Sequence, residues 1–172
     1  EEMANTPKTV PDIRTLLREG QSLVVQVTKD PIGTKGARLT TQLSIPSRYL
    51  VFMPEVPHIG ISQRIEDEAE RVRLKGIVAQ GAAELGDERF GYIIRTAAEA
   101  ASAEDLTADM MYLHRLNQSI HERIANAPLP SVIYQDLPLF IRTIRDLVRP
   151  QTEKVRIDSR ESHQRVMEFV NN

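Results

Sequence analysis

Arg95 and Thr96 stand side by side at the end of the run Phe90-Gly91-Tyr92-Ile93-Ile94, which sets a guanidinium fork next to a hydroxyl. Such a pair can grip a compact anion through charge-assisted hydrogen bonds. It also has ordinary uses, since Arg95 can pair with a carboxylate such as Glu99, and Thr96 can serve a strand or cap a turn. Lys35, within Gly33-Thr34-Lys35-Gly36, does not belong to a P-loop, because the residues that follow, Arg38-Leu39-Thr40-Thr41, read as a strand and not as a helix. His114 and His121 are two helical turns apart, too distant for an unaided metal pair, and read as surface histidines. The acidic residues Glu66, Asp67, Glu68 and Glu70 fit the first turn of a helix, where carboxylates complement the dipole. Arg142, Arg145 and Arg149 share one helix face, which reads as solvated or as able to meet phosphate or a partner's acids. No Ser/His/Asp arrangement stands out at motif spacing. The expectation is no catalytic residue and no metal ligand in this chain.

Bulk properties narrow the classes further. The sequence has 172 residues, no cysteine and a formal net charge of -2. That length allows one ordinary domain or two small ones with a real core. Disulfides and thiolate metal sites are excluded, and no apolar run approaches the roughly 20 residues that cross a bilayer. A cytoplasmic location and no membrane association are expected. The slight negative charge argues against a broad basic field, so any nucleic-acid contact must be local.

The elements that would position these groups alternate in type. Apolar residues at helical spacing from Val10 to Leu17 predict a short helix closed at Glu19-Gly20. Leu23 to Thr28 and Leu39 to Leu43 predict a hairpin around Asp30-Pro31-Ile32-Gly33. Tyr49 to Met53 predicts a buried strand, and Glu55 to Ser62 a loop. A helix should follow from Asp67, with Glu70 at capping-box spacing, and stop at Gly86. Phe90 to Thr96 reads as a strand, and Ser102 with Asp105 as the capping box of the longest helix, ended by Pro128 and Pro130. The remainder predicts strand (131–134), helix (136–148), strand (155–157) and helix (159–169), the last capped by Asp158 with Glu161. The fold class expected is mixed α+β.

Three groups of residues resemble consecutive motifs of the ribonuclease E/G family. The segment from Glu19-Gly20-Gln21 to Val27, with Lys35-Gly36-Ala37-Arg38-Leu39-Thr40-Thr41, is similar to the last strands of its OB-type RNA-binding domain. Pro46-Ser47-Arg48-Tyr49-Leu50-Val51-Phe52-Met53-Pro54 and Gly60-Ile61-Ser62-Gln63-Arg64-Ile65-Glu66 look like the first motifs of its 5′ sensor. Gly91-Tyr92-Ile93-Ile94-Arg95-Thr96-Ala97-Ala98-Glu99 looks like a later one. The similarity runs from about Pro11 to the C-terminus and is closest to the ribonuclease G branch.

The resemblance implies a partial OB-type β-hairpin (1–43), a small αβ 5′-sensor domain (44–130) and an alternating β/α segment of an RNase H-like domain (131–172). It further implies an internal fragment of a single-strand-specific endoribonuclease. The catalytic carboxylates that hold magnesium, and the zinc shared between protomers, lie outside this region, so no cofactor is expected here. The partner implied is single-stranded RNA with a 5′-monophosphate, and the parent protein is expected to be a homo-oligomer. By similarity, Arg95 and Thr96 match the phosphate-binding pair, Val51 a position that offers its backbone N–H, and Lys35 a lysine that grips RNA near the cut. Ser47 falls where ribonuclease E has a glycine near the terminal nucleotide. The competing expectation is a non-catalytic interaction domain, because a truncated OB fold leaves strand edges that pair with another chain.

Overall fold

The computed structural model describes residues 12–149 and 151–171. Val10, expected to open the first helix, lies outside the described residues. Two compact units divide the chain, Glu1–Thr41 and Gln42–Asn172.

The first unit holds the one-turn helix α1 (Ile13–Leu16), capped by the Asp12 carboxylate, and a hairpin of β1 (Gln26–Lys29) with β2 (Arg38–Thr40). Only the second half of the run predicted from Leu23 to Thr28 enters the ladder, and the register slips between Val27 and Lys29. No described residue of this unit is buried, and Val25, Val27 and Leu39 are exposed. A strand forms only as far as it finds a partner, and β2 supplies three residues.

The second unit is built on a four-stranded sheet in the order β3 (Ile45–Pro46), β4 (Leu50–Met53), β6 (Gly91–Ile94), β5 (Ile59–Ile61). β3, β4 and β6 are antiparallel, whereas β5 runs parallel to β6. The two inner strands alternate in burial: Leu50, Phe52, Tyr92 and Ile94 are fully buried, while Val51, Met53 and Ile93 face the other way. The buried face packs against α2 (Glu68–Leu85) and α3 (Ala103–Asn126), which bring Leu74, Val78, Leu106, Met110 and Leu113 into one core. β5 was expected as loop. Tyr92 N donates to His58 O at 3.0 Å and Ser62 N to Ile94 O at 2.9 Å, so a parallel strand forms where Pro57 and Gly60 suggested only a turn.

Helix ends explain why the elements stop where they do. Asp67 Oδ1 accepts from Ala69 N at 2.8 Å and Glu70 N at 3.3 Å, and Gly86 closes α2 in the left-handed region at φ 68. The expected reciprocal box is only half made here, because the Glu70 carboxylate turns to Arg73 Nε and Nη2, both at 2.7 Å, and to Ala100 N at 3.0 Å. The box at Ser102 and Asp105 is complete. α4 (Leu139–Leu147) and α5 (Arg160–Asn171) follow. Ser159, not Asp158, caps α5, its hydroxyl accepting from Ser162 N at 3.2 Å. The strands predicted at 131–134 and 155–157 do not form. Val132 and Val155 are exposed and meet no neighbouring edge among the described residues. Among these residues no helix is long and apolar enough to cross a membrane.

His114 is not a free surface histidine. Its Nδ1 lies 2.8 Å from Asp87 Oδ2, and the buried Asp87 also accepts from Tyr92 OH at 3.1 Å. This fastens α3 to the corner between α2 and β6, and burial together with the Asp87 charge pushes the Tyr92 phenol up.

Two stability predictions arise here. A Cβ at Gly91 would lie 2.0 Å from the Val56 carbonyl, so Gly91→Ala must push the 56–58 segment off the sheet. It should lower unfolding free energy by about 2 kcal/mol in denaturant titration, and an unchanged midpoint would contradict the packing. The second concerns Glu70. Hydrogen bonds from Arg73 and the Ala100 N–H hold its carboxyl at about 2. A carboxyl whose folded value is depressed contributes stability above its unfolded value near 4.5 and loses it as pH falls through the folded value. Glu70→Gln should therefore flatten the acid-unfolding profile between those values, as read by circular dichroism.

Candidate functional site

The site lies where β4 and β6 end together. Arg95 N donates to Tyr49 O at 2.8 Å, which makes Tyr49 and Arg95 the last hydrogen-bonded pair of that ladder. Antiparallel pairs alternate, so Val51 and Ile93, two residues further in, are also a bonded pair. The parallel ladder agrees, because Tyr92 and Ile94 point their amide groups at β5 and leave those of Ile93 for β4. The Val51 N–H is thus directed to Ile93 within the sheet.

After β3 the chain reverses through Arg48 and Tyr49, with Ser47 N donating to Leu50 O at 2.8 Å. Ser47 is fully buried, and its hydroxyl turns inward to Asp109 Oδ2 at 2.5 Å and Leu50 O at 3.0 Å. The same Asp109 oxygen accepts from Tyr49 N at 2.9 Å and Leu50 N at 3.1 Å. A carboxylate from α3 therefore shapes the turn. Burial pushes the Asp109 carboxyl above its ordinary value, outweighing hydrogen bonds from Ser47, Tyr49, Leu50 and Arg48 that pull it down.

Arg95 is half-buried and spans the turn, its Nη1 donating to Ser47 O and, at 3.2 Å, to Arg48 O. Its Nη2 lies 3.9 Å from Asp146 Oδ2, an ion pair beyond hydrogen-bond length. Glu99, the carboxylate suggested by sequence, is not its partner. Thr96 is exposed and opens a 3-10 turn (Thr96–Ala98), with its hydroxyl 3.0 Å from that of Ser62. The first N–H groups of such a turn have no partner within it.

Two further arginines converge from the turn and from α4. Arg145 donates from Nη1 to Pro46 O at 3.1 Å and holds Asp146 through Nε at 2.8 Å and Nη2 at 3.2 Å. Its side chain is only 10% exposed, so the basic face read along Arg142, Arg145 and Arg149 is not a uniformly solvated one. Arg48 donates from Nη2 to Val148 O at 3.1 Å, stacks 5.1 Å over the Tyr49 ring, and keeps a buried Nε without a partner. Burial raises the Asp146 carboxyl, but the hydrogen bond and charge of Arg145, with the charges of Arg95 and Arg48, bring it below its ordinary value. The outcome is a partly open cluster in which three guanidinium groups face Asp146, with Asp136 as a further charge acting on Arg145.

Ser47, Val51, Arg95 and Thr96 thus belong to one sheet and its end, where Arg95 reaches the Ser47 carbonyl, Val51 sits inside the ladder and Thr96 turns to Ser62. Lys35 belongs to the other unit, exposed on a turn where Lys35 N donates to Ile32 O at 3.1 Å.

A model of the ribonuclease E/G family matches residues 44–172, which contain this whole cluster. The chain belongs to that family. Among its relatives, ribonuclease G of Salmonella typhimurium is 50% identical over 162 residues, which make up 94% of this chain and 32% of that protein. Ribonuclease G of Haemophilus influenzae is 51% identical over 161 residues, again 94% of this chain and 32% of its own length. Ribonuclease E of Escherichia coli K12 is 39% identical over 150 residues, 87% of this chain and 14% of that protein. The chain therefore spans about a third of the length of the ribonuclease G relatives. In this ribonuclease E/G chain the candidate site also includes Asp109 and Asp146, which no pattern singles out, Arg48 and Ser62, which stand in the quoted motifs without a role, and Arg145, read only as part of a basic helix face. The available signal was chemical: Asp109 is a carboxylate on the inward stripe of Leu106, Met110 and Leu113, where an unpaired charge would be costly.

Proposed function

We propose that this chain is the part of a ribonuclease E/G enzyme that binds single-stranded RNA by its 5′-monophosphate, with the cutting done elsewhere in the parent protein. The observation that carries the reading is the half-buried Arg95 guanidinium at a partly exposed strand end, its Nη2 beyond hydrogen-bond length of Asp146 and its neighbours Arg48 and Arg145 adding positive charge, with the exposed Thr96 hydroxyl next to it in sequence. A terminal phosphate is a compact group of charge near -2 with three acceptor oxygens. Arg95 Nη2 and the Thr96 hydroxyl are suited to two of them, and the N–H groups that open the 3-10 turn to the third. Ser47 and Val51 act as frame, because the hydroxyl of one and the amide of the other are directed into the protein. Lys35 is assigned to RNA further along the strand.

A localised cation cluster in a chain of net charge -2 suits recognition of one end group better than wrapping of a long backbone. Among the described residues no group of three or more His, Cys, Asp or Glu side chains could hold a metal ion, and the magnesium and zinc sites are proposed to lie elsewhere in the parent protein. No step in this reading passes through a metal. A cytoplasmic location and assembly of the parent into a homo-oligomer belong to the same proposal.

The test is binding of short RNAs that differ only at the 5′ end, measured at two salt concentrations. The monophosphate form should bind about tenfold tighter than the hydroxyl form, and the preference should persist at the higher salt. Equal affinities would overturn the reading. The competing role, an interaction module, is favoured by one observation, the first unit with its exposed Val25, Val27 and Leu39. It would be supported by self-association without end-dependent RNA binding.

A further inference from the structure

We infer that Asp146 is the resident counter-ion of this site, an internal anion that competes with the RNA terminus for Arg95 and so sets how strongly the site holds a phosphate. The inference rests on the proposed 5′-phosphate reading and adds a specificity residue to it. Asp146 is held in place from its own helix, with the Arg145 fork on its two oxygens at 2.8 and 3.2 Å. Toward Arg95 it stops at 3.9 Å, close enough to balance charge but too far to consume the Nη2 donors. The contact is therefore one of charge without a hydrogen bond, and a ligand oxygen that makes the hydrogen bond replaces it with something stronger.

Charge balance gives the contact its direction. Arg48, Arg95 and Arg145 act on Asp146, and Asp136, a second carboxylate acting on Arg145, has Arg142 at 3.9 Å, so guanidinium charge remains in surplus and a dianion can be accepted into the cluster. A backbone phosphodiester, with a single charge, gains less against the same resident anion. Asp146 and Arg95 are each about one third exposed, so the competition takes place at the mouth of the site and not in its interior. Arg145 also donates to Pro46 O and Arg48 to Val148 O, framing contacts in which the Asp146 carboxylate takes no part.

The experiment uses the 172-residue chain and one short RNA with either a 5′-monophosphate or a 5′-hydroxyl. Asp146→Asn should tighten binding of the monophosphate form about threefold or more and leave the hydroxyl form nearly unchanged. Asp146→Glu, which keeps the charge and carries it further toward Arg95, should weaken the monophosphate form. Opposite shifts in these two variants are the signature. Shifts in the same direction, or no shift in either, would overturn the inference, as would failure of both variants to fold, which would make Asp146 a structural residue. If the parent chain itself shows no preference for the monophosphate, the proposed function falls first. A parent preference with unshifted variants removes only the role of Asp146.

Discussion

Arg95→Ala is expected to erase the preference for 5′-monophosphate over 5′-hydroxyl RNA, with the affinity for the monophosphate form falling tenfold or more. Charge-assisted hydrogen bonds contribute about 1.5–3 kcal/mol each, and roughly 1.4 kcal/mol corresponds to tenfold, so one lost contact suffices. The side chain also braces the turn, since Nη1 donates to the carbonyls of Ser47 and Arg48. Some destabilisation will accompany the change. The hydroxyl-terminated RNA controls for it, because a partly unfolded protein loses affinity for both forms alike while loss of the phosphate contact affects only one. Arg95→Lys should recover little: an ammonium is a point donor on a flexible stem, and cannot hold two carbonyls with one nitrogen while offering another to the ligand. A preference retained in Arg95→Ala would remove Arg95 from the site.

How much of this was legible in the sequence depended on whether the signal was local. The limits of α2 and α3 follow from Asp67, Gly86 and the Ser102–Asp105 box, all of which act within a turn of their own helix. The buried strand around Phe52 and the strand from Gly91 announced themselves by composition. By contrast β5 depends on amide groups of β6 more than thirty residues away, and the preceding Pro57 with Gly60 at its centre concealed it. The strands expected at 131–134 and 155–157 had the right residues but no edge to join among those described. In the site, Arg95 and Thr96 could be named from motif and chemistry. The Arg145–Asp146 pair could not, because its importance comes from the packing of α4 near the β3–β4 turn, and the helical period alone had suggested a basic face. Ser47 shows the same limit. Its position was readable, but the inward turn of its hydroxyl depends on Asp109, on a helix sixty-two residues further along.

Removing that carboxylate should have the largest effect on stability in this part of the molecule. One oxygen of Asp109 accepts from Ser47 Oγ, Tyr49 N and Leu50 N, so Asp109→Ala strands two backbone N–H groups in a largely buried turn and leaves the Ser47 hydroxyl only Leu50 O. Unsatisfied buried donors cost about 1–3 kcal/mol each, and partial access of water reduces the sum, so a loss of about 3–4 kcal/mol is expected in chemical denaturation. The turn carries the carbonyls that Arg95 holds, so phosphate preference should decline with it. Asp109→Asn separates shape from charge. It keeps one acceptor oxygen but brings an NH2 group that cannot serve the remaining donors, and should cost less than the alanine variant. The pH dependence supplies an independent readout. Because burial raises the Asp109 carboxyl, the folded protein binds this proton more readily than the unfolded chain. Its contribution to stability is therefore full below the unfolded value and declines as pH rises through the folded one, opposite in sign to that of Glu70. In Asp109→Asn this decline should vanish, leaving a steeper gain in stability from the acid side. A variant with unchanged stability and an unchanged pH profile would mean that the turn holds its shape without the carboxylate, and that Arg95 is positioned by the sheet alone.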